Sequence, residues 1–204
     1  MGKYIIGITG ASGSIYADRL IRKLLDNGHQ VILTITEAGK KVLQQEINLD
    51  ISSLQSEDEI EKYLRSFFLI ENDNQKLKYY NNDRIGAPIA SGSFRTDGMI
   101  VIPCSMASVS SIANGASKNL LERAADVIIK ERKTLIVVPR EAPFSTIHLQ
   151  NLLLLAQNNV HIVPASPSFY HNPETIDELV DFFVGRIMDQ LGIDHNLINR
   201  WSGI

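Results

Sequence analysis

The stretch Gly98-Met-Ile-Val-Ile-Pro-Cys-Ser-Met-Ala-Ser-Val-Ser-Ser-Ile-Ala-Asn-Gly-Ala-Ser117 decides how the rest of the chain is read. Residues 99–102 form a short apolar run, suited to a strand buried on both faces of a sheet. Pro103 is expected to stop that strand, and residues 104–108 supply small side chains just before a helical pattern resumes. A strand, a small-residue turn and a helix start together make a place for an anion. The first N–H groups of a helix lack internal partners and carry the positive end of its dipole. Ser105 and Ser108 add hydroxyls to those groups. Taken alone, plain N-capping by serine is the more economical explanation.

The same arrangement recurs at the start of the chain, and that recurrence gives the anion reading its weight. Residues 4–8 are a β-rich run, Thr9-Gly-Ala-Ser-Gly-Ser14 is a glycine turn, and residues 15–25 have helical spacing. Gly7, Gly10 and Gly13 are spaced by three and do not make the regular G-x-G-x-x-G fingerprint. Such a turn signals a phosphate or nucleotide without saying which. A second strand is expected at 31–35. An NAD-binding unit would close it with an acid for the ribose, whereas Thr34-Ile35-Thr36 stands there. Glu37 reads better as a first-turn glutamate favoured by the helix dipole, so a plain NAD-binding module is disfavoured.

Further along, Ser56-Glu-Asp-Glu59 is a helix-start signature ahead of a stripe of Ile60, Tyr63, Leu64 and Phe67. A third strand is expected at 76–80, followed by a turn at 81–83. Residues 87–94 form a small-residue loop against which a flat ligand could lie, or simply a tight turn. A helix is expected over 120–133, on which Arg123 and Lys130, seven apart, share a face. A buried strand at 134–138 ends in Pro139-Arg140-Glu141, charges placed where open α/β sheets bind ligands. A helix over 145–157, a strand at 161–163, an aromatic loop carrying Phe169, Tyr170 and His171, and an amphipathic helix over 175–191 containing Arg186 complete the pattern. Trp201 in the tail reads as an oligomer contact or a lid.

Strands alternating with helices predict a three-layer α/β, Rossmann-like fold: a single domain over 1–204 with a mostly parallel six-stranded sheet in the order 3-2-1-4-5-6. A length of 204 residues, 44% hydrophobic and 21% charged, fits one soluble globular domain. A net charge of −3 gives no bulk attraction to nucleic acid or anionic membrane. No apolar run reaches the roughly 20 residues a membrane helix needs. The single cysteine, Cys104, excludes an intrachain disulfide and suits a reducing compartment, so a cytoplasmic protein is expected. The five histidines are scattered without metal-ligand spacing, and no metal site is expected. No G-x-S-x-G elbow follows a strand. A phosphate site is the best-supported constellation. Two helix starts and the cations Arg123, Lys130, Arg140 and Arg186, if they converge, would hold more charge than one phosphate carries.

Taken together, Gly7-Ile-Thr-Gly-Ala-Ser-Gly13, Ala90-Ser-Gly-Ser-Phe94, Pro103-Cys-Ser-Met106, Arg123-Ala-Ala-Asp-Val127 with Lys130-Glu-Arg132, Val138-Pro-Arg-Glu141 and Phe169-Tyr-His171 resemble the flavin prenyltransferase family over nearly the whole chain. The resemblance implies a metal-independent transferase. It would join a dimethylallyl group from dimethylallyl monophosphate to N5 and C6 of reduced FMN, and the prenylated FMN would serve a partner decarboxylase. It further implies that Gly10, Ala11, Ser12, Thr36, Arg140 and the run Ser105, Met106, Ala107 and Ser108 hold FMN. Arg123, Lys130, Tyr170 and Arg186 would bind the donor phosphate. Glu141 would be the acid/base group, assisted by Ser12 and Glu46. A large homo-oligomer, a dodecamer among the expected sizes, is implied, with sites and the segment 175–204 at subunit contacts. Thr36 stands where the family usually has serine, and Ala107-Ser108 where it commonly has Lys-Thr. The rivals are a flavin-dependent cysteine decarboxylase, whose Pro-x-Met-Asn signature is replaced here by Pro139-Arg-Glu-Ala-Pro, and a non-catalytic FMN carrier or decarboxylase subunit.

Overall fold

The computed structural model describes residues 1–70 and 76–198; the tail position Trp201 lies outside them. Six strands, β1 (Lys3–Ile8), β2 (Gln30–Ile35), β3 (Leu77–Tyr79), β4 (Gly98–Cys104), β5 (Thr134–Pro139) and β6 (His161–Ile162), form one sheet. Its order is β3-β2-β1-β4-β5-β6, as expected, and every pairing is parallel. Between the strands run α1 (Ser14–Asp26), α2 (Glu37–Ile47), α3 (Glu57–Phe67), α4 (Met106–Ala113), α5 (Leu120–Lys130) and α6 (Thr146–Gln157), and α7 (Ile176–Gln190) follows the last strand.

Strand side chains alternate between two faces, and each face has its own core. Ile6, Ile8, Ile100 and Ile102 pack with Leu20 and Leu24 of α1 and Phe183 and Ile187 of α7. Ile5, Met99, Val101 and Val137 pack instead with Val109 of α4, Leu121 and Ala125 of α5 and Leu155 of α6. The sheet therefore separates α7 from α5.

Helix starts follow the local chemistry. Ser56 and Glu59 make a reciprocal capping box on α3. Thr36, Ser105, Asn119 and Thr175 each accept an N–H of the first turn of α2, α4, α5 and α7. Two expectations are corrected. Pro103 does not stop β4, which runs on to Cys104. A proline is tolerated there because the register with β5 shifts between Val101 and Cys104, so no ladder donor is needed. The Pro103 carbonyl is in turn taken by the Thr9 N–H at 3.2 Å. The helix expected to reach residue 133 ends at Lys130, with Arg132 in a left-handed conformation (φ 55°) that breaks the spiral.

Candidate active site

In the order β3-β2-β1-β4-β5-β6 the chain reverses direction of growth between β1 and β4. The helices that follow these two strands, α1 and α4, lie on opposite faces. The crevice at the carboxyl ends of β1 and β4 is the switch point where open parallel sheets receive ligands.

Thr9 closes this crevice from below. Its buried hydroxyl donates to the Pro103 carbonyl at 2.9 Å and accepts the Ser105 N–H at 2.7 Å, so the two turns are tied together. Sequence reasoning passed over Thr9; a hydroxyl immediately after an apolar strand and before a glycine turn was the available signal. The first turn also runs close under α2. A Cβ on Gly10 would fall 2.5 Å from the Ala38 Cβ, and one on Gly39 2.8 Å from the Ile8 carbonyl oxygen.

The two helix starts differ. At α1 the position is filled by the chain itself: the Glu46 carboxylate accepts the Gly13 N–H at 3.0 Å and the Ser14 N–H at 2.7 Å. Partial burial works to raise the Glu46 pKa. The hydrogen bonds from the Ser12 hydroxyl and from Gly13 and Ser14 outweigh it and hold the group below the usual glutamate value. Glu46 is thus an ionised cap that occupies two of the terminal N–H groups, and its charge disfavours a phosphate at that terminus. At α4 the Ser105 hydroxyl accepts the Ser108 N–H at 3.3 Å, and the first helical bond runs from Val109 to Ser105. The N–H groups of Met106 and Ala107 precede that bond and have no intrahelical acceptor. They stand at the positive end of the α4 dipole, directly after β4, in the turn that carries exposed Ala107. These residues fit the phosphate of FMN.

The α1 cap carries a prediction. Glu46→Ala is expected to cost about 1 kcal/mol at neutral pH, a fall in Tm of about 2–4 °C. Because the folded-state pKa is depressed, this stabilisation is fully present above the ordinary glutamate range. It is lost as pH falls through the folded value. Thermal unfolding of both proteins in steps through the acid range should show the two curves converging; a constant gap would contradict the assignment.

Around the crevice, Arg140 and Glu141 follow β5, with the Arg140 N–H 3.4 Å from the Cys104 carbonyl oxygen. Glu141 Oε1 accepts the Ala142 N–H at 3.1 Å. Thr36 follows β2, its N–H on the Ile8 carbonyl and its hydroxyl accepting the Gly39 N–H at 3.0 Å. Cys104 is fully buried, and desolvation pushes its thiol pKa far up, which excludes it as a nucleophile.

The donor-phosphate candidates do not meet in one protomer. Asn82 pins the start of α5 near the carboxyl end of β2: its carbonyl and Oδ1 accept the Leu120 and Leu121 N–H groups at 2.8 and 3.0 Å. From there α5 descends toward the amino edge of the sheet, where β5 begins. Arg123 and Lys130 share a face, as their spacing requires, but are separated by about 10 Å of helix rise. Arg123 pairs with Asp126 at 2.8 Å and Lys130 with Glu131 at 2.7 Å beside the 91–94 loop. Arg186 and Tyr170 belong to the other face, Arg186 pairing with Asp189 at 2.9 Å and Tyr170 lying edge-on to Phe182. A cavity of about 560 Å3 lies at the amino ends of β5 and β6, lined by Arg132, Lys133 and Asn159 among others. The carboxyl-terminal ends of α5 and α6 border it, which sets their dipoles against the attraction of Arg132 and Lys133 for an anion. Among the described residues no group of three or more His, Cys, Asp or Glu side chains could hold a metal ion.

The Flavoprotein family model matches residues 2–188. The chain belongs to the Flavoprotein family. Within that family, it is 47% identical to the flavin prenyltransferase UbiX of Halalkalibacterium halodurans over 98% of this chain and 94% of that protein, which places it among the flavin prenyltransferases. The solved structure of AnUbiX (PadA1) in complex with FMN and dimethylallyl pyrophosphate superposes with a TM-score of 0.87 at 30% identity, covering 100% of this chain and 98% of that one. A dodecameric FMN-dependent UbiX-like decarboxylase from Escherichia coli O157:H7 gives a TM-score of 0.84 at 37% identity, over 99% and 100% of the two chains. The fold of these relatives is thus shared, and in this chain Glu46 caps the α1 terminus while no side-chain carboxylate does so at α4 among the described residues.

Proposed function

We propose that this chain is a flavin prenyltransferase that joins the dimethylallyl group of dimethylallyl monophosphate to N5 and C6 of reduced FMN. The prenylated FMN passes to a separate decarboxylase. The observation that carries the reading is the α4 terminus, open at the β1–β4 switch point while the α1 terminus is closed by Glu46. A flavin-binding relative crystallised with a dimethylallyl phosphate ester supports it.

Bound FMN supplies an electron-rich ring as prenyl acceptor. The protein's own residues do the rest. The Met106 and Ala107 N–H groups hold the FMN phosphate, helped by the Ser108 hydroxyl and Arg140. Gly10, Ala11, Ser12 and Thr36 line the ring side, and the missing Gly10 side chain lets that turn pack against Ala38 of α2. Arg123, Lys130 and Arg186, with the Tyr170 hydroxyl, bind the donor phosphate and stabilise it as it leaves. Glu141 takes the ring proton, with Ser12 and Glu46 fixing the neighbouring turn.

Since the sheet separates α5 from α7, a complete donor site draws Arg123 and Lys130 from one protomer and Tyr170 and Arg186 from another. The working form is therefore a homo-oligomer of single-domain subunits in which α7 and the tail lie at subunit contacts, in keeping with the dodecameric relative. No described helix is long and apolar enough to cross a membrane, and a cytoplasmic location is proposed with it. Anaerobic incubation of the purified protein with reduced FMN and dimethylallyl monophosphate, and in parallel the diphosphate, should add one prenyl unit to the flavin mass. Bound but unchanged flavin would sink the transferase reading in favour of a carrier; no bound flavin would sink the site.

A further inference from the structure

The C-terminal segment after α7 contributes a buried imidazole that the mechanism above does not use. The His195 side chain is only 2% exposed. Its Nδ1 accepts the Leu197 N–H at 3.2 Å, which leaves Nε2 as the protonated nitrogen of the neutral ring, 3.1 Å from Asp189 Oδ1. The other Asp189 oxygen, Oδ2, accepts from Arg186 Nη1 at 2.9 Å. One carboxylate thus joins a buried histidine to a half-exposed arginine. The ring has a prepared seat: a Cβ on Gly185 would fall 2.9 Å from His195 Cε1. Glycine inside a helix is destabilising by roughly 0.5–1 kcal/mol relative to alanine. Its presence in the middle of α7, at the point of contact with the ring, indicates that seating the imidazole outweighs that cost.

We infer that His195 is a positioning residue for the donor phosphate. Through Asp189 it fixes the rotamer of Arg186, so that the guanidinium is presented in one orientation before the donor arrives. This rests on the reading of Arg186 as a donor-phosphate ligand. The pattern is that of an outer hydrogen bond orienting an inner ligand, where small displacements are costly because the bound geometry sets the rate. Sequence alone shows only a histidine nine residues beyond an arginine, and the link depends on the chain turning back after α7.

Two substitutions separate the contacts of the ring. His195→Gln keeps an N–H donor at the position of Nε2 and can still reach Asp189. His195→Asn keeps an acceptor at the position of Nδ1 for Leu197 but cannot. His195→Asn is expected to raise the KM for dimethylallyl monophosphate about ten- to hundredfold with FMN affinity unchanged, while His195→Gln stays within about threefold of the parent. The 15N spectrum of the ligand-free protein should show the Nε2–H tautomer of His195. Equal losses in the two variants, or a lowered Tm with an unchanged donor KM, would overturn the relay. An Arg186→Ala protein whose donor KM is normal would overturn it differently, by removing the phosphate role of Arg186 itself.

Discussion

Glu141→Gln is expected to slow flavin prenylation about 10²–10⁴-fold while leaving the fold and FMN binding intact. Glutamine retains the carbonyl oxygen that can accept the Ala142 N–H, the 3.1 Å contact made by Glu141 Oε1, so the turn after β5 keeps its shape. What is lost is the ability to hold a proton. Single-turnover formation of prenylated flavin, beside a titration of FMN onto the same protein, separates the two. A loss below about tenfold would move the proton to the released phosphate and leave Glu141 a spectator.

Ala107→Asp should drive stability and binding in opposite directions. Ala107 is exposed in the first turn of α4, where a carboxylate interacts favourably with the dipole; a gain of about 0.5 kcal/mol in the ligand-free protein is expected. The same charge would sit within about 4 Å of the phosphate. At an effective dielectric of about 20 the repulsion is about 4 kcal/mol, a 10²–10³-fold loss of FMN affinity. Ala107→Lys, which restores the family's common residue, should tighten binding modestly. A raised or unchanged Tm with FMN affinity collapsed identifies α4 as the phosphate site. Unchanged affinity in Ala107→Asp would remove that assignment and with it the switch-point reading.

Much of the fold could be read from local signals. The alternation of apolar runs and helical stripes predicts a parallel sheet between helix layers, and Ser56 with Glu59 marks a helix start that the structure reproduces. These features depend on neighbours within one turn or one strand. The boundaries that moved, at Pro103 and Lys130, moved because a register shift and a left-handed residue decided them, and neither leaves a local pattern. The site was legible in part. Ser105 and its turn announced themselves, whereas the distinction between the two helix starts did not. It comes from Glu46, 33 residues beyond Gly13 in the chain, reaching from the last turn of α2 to the start of α1. Likewise the spacing of Arg123 and Lys130 gives their common face, but only the packing of Leu121 and Ala125 shows which side of the sheet that helix covers.

The Glu46 cap has one more consequence. A doubly wound sheet has approximate two-fold symmetry about its switch point, and each half offers one helix terminus to the crevice. A flat molecule with a single charged tail could therefore lie there in either of two opposite senses, exposing different edges to whatever stands opposite. The carboxylate on the Gly13 and Ser14 N–H groups makes one of those senses repulsive, and the Met106 and Ala107 N–H groups make the other attractive. An internal counter-charge thus removes a degeneracy that the architecture would otherwise carry, and favours one orientation for an anionic guest before any contact with its reactive edge.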